Sequence, residues 1–185
     1  ARLHVSADER YELFLDGERL GRGPERGAPD VWFFESFSVA LKPGKHVLAA
    51  RVWALGDVGM EAQMSSEPGF LLAAEGEWGQ RLSTGAAAWE ALLLKGYSFR
   101  PTYTQRGCRF ILDGRLHAWG HERGKGRGWQ PAETLKPAMG RWTDWDFLHK
   151  HRLYPAALPP MTEGLLPIGV VRHVDSAGGT QEQRR

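Results

Sequence analysis

The sequence predicts an all-β fold, built as an antiparallel β-sandwich. Apolar and polar residues alternate in runs of about 4–8 residues, which is the period of a strand with one buried face. The 23 glycines and 11 prolines lie between these runs, where they end strands and form turns. A chain of 185 residues, 42% of them apolar, is long enough for a single domain with a substantial core.

A β-hairpin is predicted close to the first residue. Residues 3–5 and 10–15 form the first β run, and Tyr11, Leu13 and Leu15 lie on one face of it. The dipeptide Asp16-Gly17 follows, which is a strong hairpin signal because Gly accepts positive φ without steric cost. The segment GERLGRG then supplies the returning strand.

Two further strands are predicted in the next thirty residues. Residues 31–39 read VWFFESFSV, apolar on both sides at the start, which indicates a strand covered on both faces there. A Pro43-Gly44 turn leads into a strand over residues 46–54. Arg51 and Trp53 share one face of that strand, an arrangement typical of a sugar-stacking platform or of an amphipathic sandwich rim.

Short strands are also predicted in the second half of the sandwich. Residues 70–75 and 81–84 flank a Gly-Glu-Trp-Gly turn, and residues 89–94 follow as a strand. A second Asp-Gly hairpin is predicted at Asp113-Gly114, after a strand over 110–112. Order resumes at Trp129 after a glycine-rich loop.

These elements divide the chain into three parts. Residues 1–136 are predicted to form the β-sandwich. Residues 137–171 are proline-rich and are predicted to be an irregular exit segment that packs on it. Residues 172–185 contain few apolar residues and are predicted to be a disordered tail or linker.

Composition excludes several classes of protein. A formal net charge of +2 supplies no field that would condense the domain on nucleic acid or an anionic membrane. No apolar run approaches the length of a bilayer span, so a soluble domain is expected, and its compartment, cytoplasmic or secreted, stays open. The single cysteine, Cys108, is predicted to be a packed small hydrophobe rather than a nucleophile. No cofactor is expected.

Metal and phosphate sites are not predicted either. His117 and His121 are four residues apart, but the intervening Gly120 argues against a helix, and two histidines are too few ligands for zinc. The cations Arg123, Lys125 and Arg127 alternate with other residues in a glycine-rich loop, which lacks the Gly-Lys-Ser/Thr sequence of a P-loop.

Carboxylates in the sequence raise the question of glycosidic hydrolysis. It requires two carboxylates flanking the scissile bond. Candidate acids are present, although the pattern does not show which of them converge and each is more typical of a solvated surface: Glu35, Glu61, Glu122, Asp144 and Asp146. No Gly-x-Ser-x-Gly elbow occurs. The sequence therefore predicts no catalytic residue.

Aromatic residues are the one compositional excess, with eight tryptophans and four tyrosines. Flat rings beside polar groups suit pyranose faces, and they equally suit a large aromatic core. If the domain contacts sugar, three tryptophans are the expected stacking platforms and three polar residues their hydrogen-bonding neighbours. They are Trp53, Trp119 and Trp129, with Arg51, Glu122 and Arg127.

Four segments together resemble the accessory N-terminal β-sandwich of bacterial α-L-rhamnosidases, which are inverting glycoside hydrolases. They are YELFLDGERLGRGP, LKPGKHVLAARVWALG, GFLLAAEGEWGQRLSTGAAAWEA and LPPM. The first two are also similar to the sugar-binding domain of β-galactosidase-like enzymes. The order of all four favours the rhamnosidases.

The resemblance implies a galactose-binding-like jelly roll that serves as a non-catalytic module. In that family the catalytic residues lie in a downstream (α/α)₆ barrel, for which 185 residues leave no room. The implied partners are that catalytic domain and a rhamnose-containing glycan. Two alternatives stay open: a free-standing lectin-like binder, and a purely structural module without a ligand.

Overall fold

The structure is a computed structural model that describes residues 1–28, 31–56, 59, 65, 67–100, 109–135, 152–159, 164 and 169–170. The strands are β1 (Arg2–Asp8), β2 (Arg10–Leu15), β3 (Glu18–Gly23), β4 (Val31–Ser38), β5 (Leu48–Trp53), β6 (Gly69–Ala74), β7 (Glu90–Ala91), β8 (Tyr97–Arg100), β9 (Arg109–Leu112), β10 (Gln130–Pro131) and β11 (Arg152–Pro155). The helical elements are a short helix α1 (Gly79–Leu82) and 3₁₀ turns at Gly76–Trp78 and His121–Arg123.

Two sheets form the body of the domain. One has four strands in the order β11-β4-β1-β6, and the other has three in the order β3-β2-β5. The pairs β7 with β10 and β8 with β9 form two small ribbons. All of these pairs are antiparallel except β11 with β4, which is parallel. The predicted all-β sandwich is thus confirmed, with one parallel pair at its edge.

The core lies between the two sheets. Leu3 and Val5 of β1 face Tyr11 and Leu13 of β2, and all four side chains are buried. The residues 3–5 and 10–15, which the sequence suggested as one run, are therefore two strands in different sheets. This arrangement buries apolar surface from both sheets, the dominant favourable contribution to folding.

The first predicted hairpin is confirmed. Asp16 and Gly17 both have positive φ, 54° and 86°, as the two central residues of a type I′ turn require. The Asp16 carboxylate also accepts hydrogen bonds from the backbone N–H of Val47 (2.8 Å) and from the His46 ring (2.7 Å). The turn is therefore tied to the entry of β5.

A polar contact crosses the core. The Tyr11 hydroxyl of β2 donates a hydrogen bond to Glu35 Oε2 of β4 at 2.6 Å, and the backbone N–H of Glu25 donates to Oε1 at 2.8 Å. Burial raises the pKa of Glu35, while these hydrogen bonds act in the opposite direction. The carboxyl group therefore links the two sheets.

The strand predicted over residues 81–84 is wrong, because α1 ends at Leu82 and a turn follows. The hydroxyl oxygens of Ser83 and Thr84 instead accept hydrogen bonds from the backbone N–H groups of Ala74 and Leu72. Side chains thus satisfy the edge of β6 where the prediction placed another strand. The strand predicted over 89–94 is shorter than expected, since β7 contains only Glu90–Ala91.

The second Asp-Gly hairpin is also wrong. β9 precedes Asp113-Gly114 as predicted, but its partner is β8, which lies upstream, and turns follow Gly114. Gly114 lacks the positive φ that a type I′ turn needs. The Asp113 carboxylate instead accepts hydrogen bonds from the backbone and side chain of Arg115, which closes a local turn.

The predicted exit segment contributes a strand to the larger sheet. Arg152–Pro155 pairs with β4, and the Glu25 carboxylate accepts the backbone N–H groups of Ala157 and Leu158. The predictions for Cys108, for residues 172–185 and for most of 137–171 fall outside the described residues. Within the described ranges, none of the helices has the length and hydropathy of a membrane span.

Leu13 provides a test of the core. Its side chain is fully buried between the sheets, so Leu13→Ala is expected to lower the free energy of unfolding by about 2–5 kcal/mol. Leu93→Ala serves as the control because Leu93 is exposed, and its effect should stay within about 0.5 kcal/mol. Urea unfolding followed by circular dichroism measures both, and similar effects for the two variants would contradict this placement of the core.

Candidate functional site

The candidate site lies on the outer face of the three-stranded sheet. Glu12 of β2 and Arg51 of β5 are cross-strand partners, so both side chains project from that face. The Glu12 carboxylate is buried and pairs with the guanidinium groups of Arg51 and of Arg19 on β3. One carboxylate thus connects all three strands.

Arg51 extends this network to aromatic rings. Its guanidinium carbon lies 5.6 Å from the centroid of the Trp53 ring, within the range of a cation–π contact. One of its terminal nitrogens donates to the Tyr97 hydroxyl at 3.4 Å. The predicted proximity of Arg51 and Trp53 is therefore confirmed.

The segment after Asp113 covers this face and carries two buried histidines. The 3₁₀ turn His121–Arg123 lies between Gly120 and Gly124, whose φ values of 83° and 70° let the chain reverse at both ends. The centroid of the His121 ring lies 6.5 Å from that of the Phe14 ring and 5.3 Å from that of the His117 ring.

His117 is the centre of a group of ring contacts. Its ring centroid lies 5.5 Å from that of Tyr97 and 4.8 Å from that of Trp119, and both contacts are edge-on. We call Glu12, Arg51, Tyr97, His117 and His121 the outer-face cluster.

The electrostatics of the cluster keep His117 neutral. Burial lowers its pKa most, and the neighbouring His121 and Arg51 lower it further, whereas Glu122 acts in the opposite direction. Nδ1 of His117 and Nε2 of His121 have no hydrogen-bond partner among the described residues. A proton added to the His117 ring would therefore bring a buried positive charge that no hydrogen bond at Nδ1 compensates.

The outer-face cluster is not arranged as a metal centre. In the part of the chain that the structure describes, no group of three or more His, Cys, Asp and Glu side chains is arranged to hold a metal ion. The chemistry available is instead that of hydrogen bonding and of ring stacking at the rim.

The six predicted site residues separate into two sets. Arg51, Trp53 and Glu122 lie in or beside the outer-face cluster, and Trp119 lies at its exposed rim. Trp129 is half-buried, with its indole nitrogen near Gly126, and Arg127 is exposed. Among the described residues, no hydrogen bond, ion pair or ring contact joins Trp129 or Arg127 to Arg51.

Sequence reasoning missed Glu12, Tyr97 and the packing of the two histidines. The signal for Glu12 was a charged residue between the apolar Tyr11 and Leu13, although its partner Arg51 follows only from the register of β2 and β5. The His117–His121 spacing alone suggests a helical metal motif, which Gly120 argues against. The pair instead belongs to an irregular turn that seats both rings on the sheet.

No protein-family model and no curated protein sequence matches the chain. Among solved structures, the GH78 family rhamnosidase of Bacillus sp. GL1 matches with a TM-score of 0.66 and 27% sequence identity. The chain is similar to a region of that rhamnosidase. The match covers 86% of this chain and 17% of the rhamnosidase, so this chain spans less than a fifth of that enzyme.

Stability should depend on pH through His117. The unfolded chain takes up a proton near pH 6.5, whereas the folded chain resists it, so the free energy of unfolding is expected to fall as the pH drops below about 6.5. His117→Gln removes this group, and its stability should fall less between pH 7.5 and pH 5. Urea titrations at a series of pH values measure the difference.

His46 provides a control of opposite sign. The hydrogen bond to Asp16 raises the pKa of His46 in the folded chain. The stability that His46 contributes is therefore present below about pH 6.5 and is lost as the pH rises through the folded-state pKa. His46→Gln should therefore make the acid-side loss of stability larger. Parallel pH profiles for the wild-type protein and the His117→Gln variant would show that His117 is not buried as a neutral ring.

Proposed function

We propose that the chain is a non-catalytic module of an α-L-rhamnosidase-related glycoside hydrolase, with a galactose-binding-like jelly-roll topology, and that it supports the catalytic barrel of that enzyme. The observation that carries this proposal is the match to the GH78 rhamnosidase, which includes most of this chain but a small part of that one. Such a ratio is expected of one module in a longer, multidomain enzyme.

The engagement of the buried carboxylates supports a non-catalytic role. Asp8 accepts the backbone N–H of Glu67 at 2.9 Å, and Glu9 accepts that of Leu55 at 3.0 Å. Both acids are buried at the end of the sandwich, where they hold the chain that enters or leaves β5 and β6. Their oxygens act as structural acceptors.

Two of the acids named as glycosidase candidates are described by the structure, and both are likewise engaged in contacts within the domain. Glu35 bonds Tyr11 and Glu25 inside the sandwich, and Glu122 lies 3.6 Å from the His121 ring. Glu61, Asp144 and Asp146 fall outside the described residues. Neither Glu35 nor Glu122 is therefore assigned the role of general acid or base.

Carbohydrate binding is a second candidate function, favoured by the setting of Trp119. The Trp119 side chain is 66% exposed, and its indole N–H donates to the Gly114 carbonyl at 2.8 Å, which fixes the ring. The ion pair between Asp113 and Arg115 is close in sequence and supplies polar groups. A fixed, exposed ring beside polar groups suits the face of a pyranose, here a rhamnose-containing glycan.

Activity measurements test the module proposal. We expect the 185-residue chain to leave an aryl α-L-rhamnoside intact, and the longer polypeptide encoded by the same reading frame to hydrolyse it. Deleting the module should lower the melting temperature of that polypeptide without changing its preference for rhamnosides, because the module supplies support rather than reacting groups. Turnover by the isolated chain, or a reading frame that encodes no glycoside hydrolase, would contradict the proposal.

Calorimetry tests the carbohydrate candidate separately. The double variant Trp119→Ala/Trp129→Ala should lose measurable binding of L-rhamnose, because both candidate stacking rings are removed. Trp78→Ala is the control, because Trp78 contacts Arg81 next to α1, away from the cluster in the chain. If the double variant binds as the wild-type protein does, sugar stacking by these rings is excluded and the module proposal is unaffected.

A further inference from the structure

The ribbon of β8 and β9 exposes an unusual amount of apolar surface. Five large apolar side chains on this ribbon and in the turns that follow it are exposed by 37–66%, and we call them the ribbon patch. They are Phe99, Phe110, Ile111, Leu116 and Trp119. Contiguous exposed apolar surface of this kind marks an interaction site more often than single exposed residues do.

Ring contacts make the aromatic part of the patch continuous. Phe99 and Phe110 are cross-strand partners, and the Tyr97 ring lies 6.3 Å from the first and 6.0 Å from the second. Tyr97 also contacts His117, which contacts Trp119. The patch is therefore anchored to the outer-face cluster rather than suspended from a loop.

The backbone beneath the patch is closely packed. The N–H of Asp113 donates to the Gly96 carbonyl at 2.9 Å, and a Cβ atom at Gly96 would lie only 2.6 Å from the Asp113 carbonyl oxygen. Gly96 has a φ of 95°, which favours glycine at this position. A surface held in this way requires little ordering when a partner binds.

The charges around the patch have one dominant sign. Residues 95–100 and 109–119 include four cations, Lys95, Arg100, Arg109 and Arg115, and one anion, Asp113. All four cations are exposed; Arg115 is paired with Asp113 at 2.7 Å, so this pair adds no net charge and the positive sign comes from Lys95, Arg100 and Arg109. The apolar patch therefore has a basic border.

We propose that the catalytic part of the parent glycoside hydrolase docks on the ribbon patch, through an apolar surface that contacts both faces of the ribbon and is bordered by carboxylates. This inference rests on the proposed function. A basic border selects a partner whose own border is acidic. Most of the similar rhamnosidase lies outside the matched region, so an enzyme of that kind contains a large further part that can provide the partner surface.

The composition of the patch favours a protein over a sugar as the occupant. Phe110 and Ile111 are consecutive in β9, so they project from opposite faces of the ribbon. Leu116 and Ile111 are aliphatic and offer no ring on which a pyranose could stack.

Hydroxyl-radical footprinting of the longer polypeptide tests this surface. Trp119 and Phe110 should be oxidised about tenfold more slowly there than in the 185-residue chain, because the core of an interface excludes water. Leu158 is the internal reference, since it is as exposed as Trp119 but lies outside the patch. Its oxidation rate should be equal in the two proteins.

Matched variants identify the cause of the protection. In the longer polypeptide, Phe110→Ser and the charge reversal Arg100→Glu should restore oxidation of Trp119, whereas Leu158→Ser should not. Circular dichroism of each variant in the 185-residue chain shows whether the sandwich is intact; if Phe110→Ser disturbs it, Arg100→Glu alone decides the question.

Three results would overturn the inference. These are equal oxidation of Trp119 in both proteins, protection that appears only when L-rhamnose is added, and concentration-dependent protection in the 185-residue chain, which would indicate self-association. In each case the longer polypeptide can still hydrolyse rhamnosides, so the proposed function would survive. A longer polypeptide without that activity would instead remove the proposed function.

Discussion

Burial of the Glu12 carboxylate is the constraint that joins the core of this domain to its outer face. A carboxylate withdrawn from water is costly unless opposite charges and hydrogen bonds compensate it. Here Arg19 and Arg51 from the two flanking strands provide that compensation. The register of β2 with β5 is thereby coupled to an ionic contact as well as to the burial of Tyr11 and Leu13 on the other face.

The position of Arg51 determines how the rest of the outer face is arranged. The Arg51 guanidinium pairs with Glu12 and also contacts the Trp53 ring and the Tyr97 hydroxyl. The buried His117 ring packs against Tyr97, and His121 packs against His117. Tyr97 then connects the cluster to β9 through its contact with Phe110. The core, the cluster and the exposed ribbon are therefore one continuous set of contacts.

Local chemistry made the first half of the fold predictable. Strand alternation and the Asp16-Gly17 turn are properties of consecutive residues, and both are present in the structure. The same dipeptide at Asp113-Gly114 misled the prediction, because the Asp113 side chain bonds Arg115 and the strand partner lies upstream. The outer-face cluster was only partly predictable, since pairing Glu12 with Arg51 requires the register of strands separated by more than thirty residues.

A double-mutant cycle on Glu12 and Arg51 measures the central interaction most directly. The variants Glu12→Gln and Arg51→Met, alone and combined, are compared by urea unfolding and by amide hydrogen exchange of Arg123 and Gly124 in the 3₁₀ turn. We expect a coupling energy of about 1–3 kcal/mol, with faster exchange at both amides in each single variant. Effects that add within about 0.3 kcal/mol, with unchanged exchange in the turn, would show that Glu12 does not hold Arg51 beneath the histidines.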